Sequence, residues 1–230
     1  MYRISLTYFI AIVFILAGLN ACQPEPEVPD QSKIYTSYLL NYNRTEDKTT
    51  AKATFYLNEP SQTNQQKLEL THPATVNYNN EELIFNSLDR VYKKEFLGLV
   101  QGSFNYKNYN GANYLNSISM VDSVDIYSST DSVSMQSDYY FEVIGNPLAS
   151  DEVVNVYVES INSGESYTSS FQSISGLTVQ VSSAQLTSLG AGETLIIVNR
   201  RLEYTNNINT PDAGGLVAVE YTVQYTVVIY

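Results

Sequence analysis

The sequence predicts an all-β protein in which two β-sandwich domains follow each other along the chain. Three observations support this prediction: apolar and polar residues alternate in many short segments, turn-forming residues separate these segments, and no long helical periodicity follows residue 33. The last segment shows the alternation best, because apolar residues occupy every odd position from Val217 to Ile229. Side chains two residues apart on a strand share one face, so this pattern is typical of a half-buried strand.

The composition suits folded domains and makes some partners improbable. Of the 230 residues, 43% are hydrophobic and only 16% are charged, so the chain can bury substantial cores. It carries 24 acidic and 12 basic residues, for a formal net charge of −12. Such a charge repels phosphate backbones, so we expect no nucleic-acid partner. It also opposes electrostatic adhesion to anionic lipid, so a membrane attachment would be covalent or hydrophobic.

Residues 1–21 have the layout of a secretory signal peptide, because Arg3 is followed by a nearly unbroken apolar run and then by small residues. The ending Leu19-Asn20-Ala21-Cys22 resembles a lipobox, which implies cleavage before Cys22 and acylation of its thiol. Cys22 is the only cysteine, so no intrachain disulfide can form. The alternative is an uncleaved transmembrane anchor over residues 4–21, since about 18 apolar residues could just span a bilayer.

Residues 22–32 are predicted to form an acidic, proline-rich tether. Pro24, Pro26 and Pro29 favour a stiff and extended backbone. An acidic stretch directly after a lipidated cysteine resembles the signal that carries Bacteroidota lipoproteins to the outer face of the outer membrane. This resemblance implies outer-membrane lipid as a partner and a location that faces the cell exterior. The alternative is a plain spacer, which would leave the side of the membrane open.

The first domain is predicted over residues 33–128. Asn110-Gly111 is its strongest turn signal and indicates a β-hairpin. The predicted strands are Ile34–Tyr42, Ala51–Leu57, Lys67–Leu70, Thr75–Tyr78, Glu82–Phe85, Gly102–Lys107 and Ala112–Val121.

The second domain is predicted over residues 129–230, after the polar break Ser128–Ser132. Ser182, an apolar turn and Gly190 predict one short helical turn. The predicted strands are Val133–Ile144, Val153–Ser160, Ser166–Phe171, Leu177–Val181, Thr194–Tyr204 and Val217–Ile229.

The segment from Leu177 to Tyr230 places a Leu-x-x-Leu-x-x-Gly turn between two strands and resembles the end of immunoglobulin- or fibronectin-like sandwiches. Thr194 and Leu195 stand where such domains often carry a corner tyrosine, so only the architecture is implied. Together with the lipobox and tether, the chain resembles Bacteroidota surface lipoproteins with tandem immunoglobulin-like domains. Two alternatives concern the fold: the first domain is a different sandwich, or both parts fuse into one larger sandwich.

The sequence offers few groups for catalysis, and we expect no catalytic residue, no metal site and no cofactor. His72 is the only histidine and stands in a predicted loop, and no Gly-x-Ser-x-Gly elbow is present. A zinc site would need several histidine or cysteine ligands. Asp122, Asp125 and Asp131 could ligate calcium, but their spacing matches no calcium-loop motif.

Pairs of carboxylates could hydrolyse glycosides, and four acidic residues in loops or at strand starts are candidates. We interpret them as solvated charges, which are common at strand edges. They are Glu81, Glu82, Asp151 and Glu152. Arg200 and Arg201 are expected to form salt bridges at the acidic surface, with a ligand site as the alternative.

One group of tyrosines is predicted to bind a ligand. Most of the 20 tyrosines lie in strand patterns, where tyrosine is simply favoured. Tyr106, Tyr109, Asn110 and Tyr114 instead surround the Asn-Gly turn. A hairpin tip rich in tyrosine and asparagine has the composition of a recognition loop, so these four residues are the predicted binding site.

These features together indicate a lipid-anchored cell-surface protein that is not an enzyme and that binds or adheres to a glycan or protein partner. The first alternative is a structural accessory subunit of an outer-membrane complex, docked on a membrane protein. A carboxylate-based hydrolase is the remaining alternative.

Overall fold

The structure is a computed structural model and describes residues 29–59 and 66–230. The signal peptide, Cys22 and most of the tether lie outside the described residues. The described part contains seventeen strands, one α-helix and a 3₁₀ turn at Gln31–Lys33. None of its helices is long and apolar enough to cross a membrane. The prediction of an all-β protein is confirmed.

The strands follow each other closely along the chain. Strands β1 to β9 are Ile34–Asn43, Lys48–Leu57, Gln66–Leu68, Thr75–Tyr78, Glu81–Glu82, Ile84–Asn86, Val91–Leu97, Gly102–Lys107 and Asn113–Ile118. Strands β10 to β17 are Val124–Tyr127, Ser132–Val133, Tyr139–Gly145, Glu152–Ser160, Ser166–Phe171, Leu177–Val181, Gly192–Tyr204 and Gly215–Ile229, and helix α1 is Ser183–Leu189.

The strands form one ten-stranded sheet and two smaller sheets. The large sheet has the order β14-β13-β16-β17-β1-β2-β7-β6, with β11 added to β17 and β3 added to β2. The sheet β5-β4-β8-β9 covers its N-terminal half, where Tyr38 of β1 stacks on Phe104 of β8 with ring centroids 4.9 Å apart. The sheet β10-β12-β15 covers its C-terminal half and contributes Phe141 and Val179 to the buried core.

The two halves are joined by backbone hydrogen bonds. Strand β1 pairs in parallel with β17, from Thr36 opposite Gly215 to Asn43 opposite Thr222. The large sheet is therefore continuous, as in the alternative of one larger sandwich. The division into two independently folding domains stays a prediction. Strand β10 pairs with β12, so the boundary placed after residue 128 separates β10 from the sheet to which it bonds.

Local signals account for several elements. The Ser182 side chain caps α1 by accepting a hydrogen bond from the Gln185 backbone amide, and the Gln185 side chain accepts one from the Ser182 backbone amide. Gly190 ends the helix with a positive φ. The predicted helical turn is therefore confirmed. Strands β7 and β10 were not predicted from the sequence pattern, and the single predicted strand Val133–Ile144 is divided into β11 and β12.

The parallel pair gives the molecule a direction relative to the tether. Strand β1 starts directly after the 3₁₀ turn at Gln31–Lys33, which contains the last residues of the predicted tether. Strand β17 runs the same way and continues from Thr222 to Ile229, beyond the end of β1. A strand rises about 3.3 Å per residue, so β17 extends about 50 Å from the tether end of the molecule.

Candidate binding surface

The predicted binding residues at the β8–β9 hairpin are not brought together on the surface. Tyr106 is fully buried, and its ring lies 4.7 Å from that of Phe55 and 5.6 Å from that of Tyr114, measured between centroids. Tyr106 shares the core-facing side of β8 with Phe104, because the two residues are two positions apart on the strand. The assignment of Tyr106 as a binding residue is therefore wrong, and Tyr114 is partly buried against the same core.

Tyr109 and Asn110 do lie at the hairpin tip, in the turn predicted from Asn110-Gly111. Tyr109 is 38% exposed, and its backbone amide donates to Oε1 of Gln31 at 3.1 Å. Gln31 belongs to the turn through which the tether enters. The hairpin tip therefore contacts the described residues that precede β1.

Arg200 is buried, contrary to the expected surface salt bridge, and only 2% of it is exposed. Its guanidinium forms an ion pair with Glu152 and donates to the backbone oxygens of Asn146 and Pro147 at 3.0 and 3.1 Å. Glu152 also accepts from the amide of Ala149 at 2.9 Å. This network fixes the loop before β13 to β16, so Glu152 has a structural role and is not a solvated charge.

The other candidate groups do not converge. His72 lies in an exposed turn. Asp125 forms an ion pair with Arg44, and Asp122 lies 3.4 Å from the amide nitrogen of Asn146. Across residues 29–59 and 66–230, no group of three His, Cys, Asp or Glu side chains could hold a metal ion.

The open face of the sheet β10-β12-β15 carries exposed tyrosines. Alternate residues of β12 are buried, including Tyr139 and Phe141, and the residues between them are exposed. Tyr140 is 51% exposed and Tyr127, at the end of β10, is 57% exposed. We call this surface the tyrosine platform; its members are Tyr127, Tyr140, Glu142, Thr178 and Gln180.

Strand register determines the spacing on the tyrosine platform. Tyr127 lies opposite Glu142, and Tyr140 lies opposite Gln180. Tyr127 and Tyr140 are therefore diagonal neighbours, which are separated by roughly 7–8 Å between Cα atoms. Both rings keep half of their surface accessible to a ligand.

A carboxylate beside the platform orders its polar groups. Asp138 accepts from the backbone amide of Ser183 at 2.8 Å and from Nε2 of Gln180 at 2.6 Å. These hydrogen bonds, with the Ser183 amide contributing most, lower the pKa of Asp138 below its ordinary value. The Tyr140 hydroxyl lies 3.5 Å from the same carboxylate. Gln180 is therefore held in a fixed position next to the exposed ring of Tyr140.

The chemistry of the platform suits a hydroxyl-rich ligand. Exposed tyrosine rings can stack on apolar ring faces, and adjacent carboxylate and amide oxygens can accept hydrogen bonds from hydroxyl groups. Strands β10, β12 and β15 carry no lysine or arginine, whereas Glu142 and Asp138 are negatively charged. The platform therefore favours neutral ligands over anionic ones. Sequence reasoning missed it because the predicted strand Val133–Ile144 was not divided into its two faces, although Tyr139, Phe141 and Val143 share one phase and place Tyr140 on the other face.

Comparisons with known proteins identify no family. No family model and no curated protein matches the chain. A structure described as a 1.5-MDa bacterial ice-binding adhesin is 15% identical with a TM-score of 0.27, over 87% of this chain and 66% of that one. A tetra-tandem repeat from the extending region of a large adhesion protein is 10% identical with a TM-score of 0.28, over 83% of this chain and 49% of that one. Neither likeness is close enough to carry a function to this chain.

Proposed function

We propose that this protein is a lipid-anchored binding module of the cell surface, without enzymatic activity, and that its ligand is a neutral glycan. The observation that carries this proposal is the tyrosine platform, where Tyr127 and Tyr140 are both half exposed on an open sheet face. Two aromatic rings beside fixed hydrogen-bond acceptors can recognise a sugar by stacking and by contacts to its hydroxyl groups.

The direction of the fold supports display away from a membrane. The lipobox and acidic tether imply an anchor at Cys22, and the tether reaches the fold at the start of β1. The platform belongs to the C-terminal half, whose central strand β17 continues beyond the end of β1. A ligand that approaches from outside would therefore meet the platform before the hairpin tip at Tyr109.

The state of the candidate catalytic groups supports a role without catalysis. Glu152 is held by Arg200 in a buried ion pair, and His72 lies in an exposed turn. Acid–base catalysis requires titratable groups that share a cleft with the substrate. Glu142 of the platform lies on an open sheet face, where it suits hydrogen bonding to a ligand.

A glycan array tests the ligand class. The full-length protein, purified from membranes in mild detergent, is compared with the Tyr127→Ala/Tyr140→Ala variant and with Tyr109→Ala as the matched control. We expect selective binding to neutral glycans, a loss of about tenfold or more in the double variant, and no change in the control, because each stacked ring contributes about 1 kcal/mol. No glycan bound, together with a co-purifying membrane protein, would favour the accessory-subunit alternative.

A cell fractionation experiment tests the anchor. We expect the wild-type protein to incorporate labelled fatty acid and to begin at Cys22 after cleavage, and the Cys22→Ala variant to incorporate none, because the acyl acceptor is lost. We also expect an external protease to reach the wild-type protein on intact cells. A wild-type protein that incorporates no fatty acid and keeps residues 1–21 would show that residues 4–21 form a transmembrane anchor instead.

A further inference from the structure

Two lysines face each other on the open face of the large sheet. Lys52 of β2 and Lys93 of β7 are direct cross-strand partners. Their neighbours Ala51, Ala53 and Tyr92 are buried in the core, so both lysine side chains point to the opposite, uncovered face. Directly opposed residues in an antiparallel pair have Cα atoms only about 4.5–5.5 Å apart. The two lysine side chains therefore leave neighbouring backbone positions on the same face.

Neither lysine has a counter-charge among the residues that the structure describes. Glu95 lies two residues from Lys93 on the same face, but it forms its ion pair with Lys48, at 3.3 Å. Lys94 points to the other face and pairs with Glu81 at 2.7 Å. Like charges directly opposite each other on a sheet are unfavourable. The unneutralised pair is unusual in a chain with 24 acidic and 12 basic residues, where carboxylates are abundant.

The row of residues across the sheet extends this pair into an elongated surface. Ile84 lies opposite Lys93 at one end, and Leu39 lies opposite Lys52 at the other. Ile84 is 72% exposed, and Leu39 is partly exposed. Neighbouring strands are about 4.8 Å apart, so the four residues span roughly 15 Å across the sheet. The row therefore offers apolar contacts on both sides of a central positive charge.

We propose that Lys52 and Lys93 form a second binding site, independent of the tyrosine platform, for the carboxylate of a uronic-acid polysaccharide. One carboxylate can accept hydrogen bonds from both ammonium groups at once, which removes their mutual repulsion. Sugar rings on either side of that carboxylate would contact Ile84 and Leu39. The net negative charge of the protein repels a polyanion more strongly the more charges it carries, so we expect a chain with one carboxylate per sugar to bind better than a heavily sulfated one.

Titration with polygalacturonate tests this site. The full-length protein in mild detergent is titrated calorimetrically with polygalacturonate, with neutral dextran and dextran sulfate as comparison ligands. We expect binding to polygalacturonate that weakens with added salt, no binding to dextran, and weaker binding to dextran sulfate. Lys52→Gln and Lys93→Gln should each lower the affinity about tenfold, because each removes a charge-assisted hydrogen bond. Equal affinity for dextran sulfate would overturn the carboxylate assignment.

Three controls make the result decisive. Lys107→Gln removes an exposed lysine on β8, away from the pair, and should leave the affinity unchanged. Tyr127→Ala/Tyr140→Ala should also leave it unchanged, which separates this site from the proposed function of the platform. The Lys52→Gln/Lys93→Gln variant should unfold at the same or a higher temperature than the parent, because a repulsion is removed. Unchanged binding in that variant, or an equal loss in Lys107→Gln, would overturn the proposal.

Discussion

Replacement of Arg200 by methionine should destabilise the protein more than any other change to its charged groups. Arg200 and Glu152 are 2% and 8% exposed, so water cannot compensate for the loss of the partner. In the Arg200→Met variant the Glu152 carboxylate keeps only the Ala149 amide, and the backbone oxygens of Asn146 and Pro147 lose their donor.

The expected cost follows from this burial. Removal of one partner from a buried ion pair typically costs about 3–5 kcal/mol, because the other charge remains buried without compensation. Arg201 is the matched control, since it is the next residue and its side chain is 28% exposed in its ion pair with Glu220. Arg201→Met should cost less than Arg200→Met, because Arg201 and its partners Glu203 and Glu220 keep partial access to water. The double variant Arg200→Met/Glu152→Leu should recover part of the stability, because no charge remains buried.

Equilibrium unfolding in urea measures these differences. The chain has 20 tyrosines and no tryptophan, so tyrosine fluorescence together with circular dichroism reports the transition. The reasoning would be refuted if Arg200→Met cost no more than Arg201→Met, or if the double variant were less stable than Arg200→Met alone.

Three further predictions concern single groups. The buried Tyr106 hydroxyl has no hydrogen-bond partner in the described residues, so Tyr106→Phe should raise the free energy of unfolding by about 1 kcal/mol. Tyr139→Phe should lower it, because the Tyr139 hydroxyl donates a hydrogen bond to Ser128. Burial raises the pKa of Tyr78 to about 12, so its contribution to stability is complete below pH 10 and is lost as the pH rises towards 12, which alkaline denaturation measures. Because the pKa of Asp138 is lowered, its ionised carboxylate stabilises the fold above pH 3.8, and this contribution is lost as the pH falls below that value. NMR titration of Asp138 should show a higher pKa in Gln180→Ala, because one hydrogen bond to the carboxylate is removed.

Alternation and turn signals predicted the elements that local sequence determines. The regular pattern of β17 is confirmed, with Val217, Val219 and Ile229 all buried. Asn110-Gly111 lies in the predicted hairpin turn, where Gly111 has the positive φ that glycine tolerates. These signals act over a few residues, so they could be found without knowledge of the fold.

The joining of the two halves could not be predicted in the same way. Strands β1 and β17 lie at opposite ends of the described chain, and no local pattern specifies their parallel pairing. Strand β7 contains Lys93, Lys94 and Glu95 in succession, which hides its alternation. These charged residues are accommodated because Lys93 and Glu95 point to the open face of the sheet, while Lys94 forms its ion pair with Glu81.

The predicted binding site included the buried Tyr106 because it was inferred from residue composition alone, without asking which face of the strand each side chain occupies. Tyr106 follows Phe104 at the spacing of one strand face, and this signal for burial was present in the sequence. Arg200 likewise lies in phase with the buried Ile196 and Val198 of β16. Its partner Glu152 is 48 residues away, so the compensation of a buried charge could be recognised only from the structure.

A crystal structure of the protein with the neutral glycan that binds best on the array would test the central claim most directly. We expect sugar rings in contact with the exposed faces of Tyr127 and Tyr140, and at least one sugar hydroxyl hydrogen-bonded to Gln180, Glu142 or Asp138. A glycan bound at the hairpin tip around Tyr109, or at any surface away from the tyrosine platform, would contradict the account.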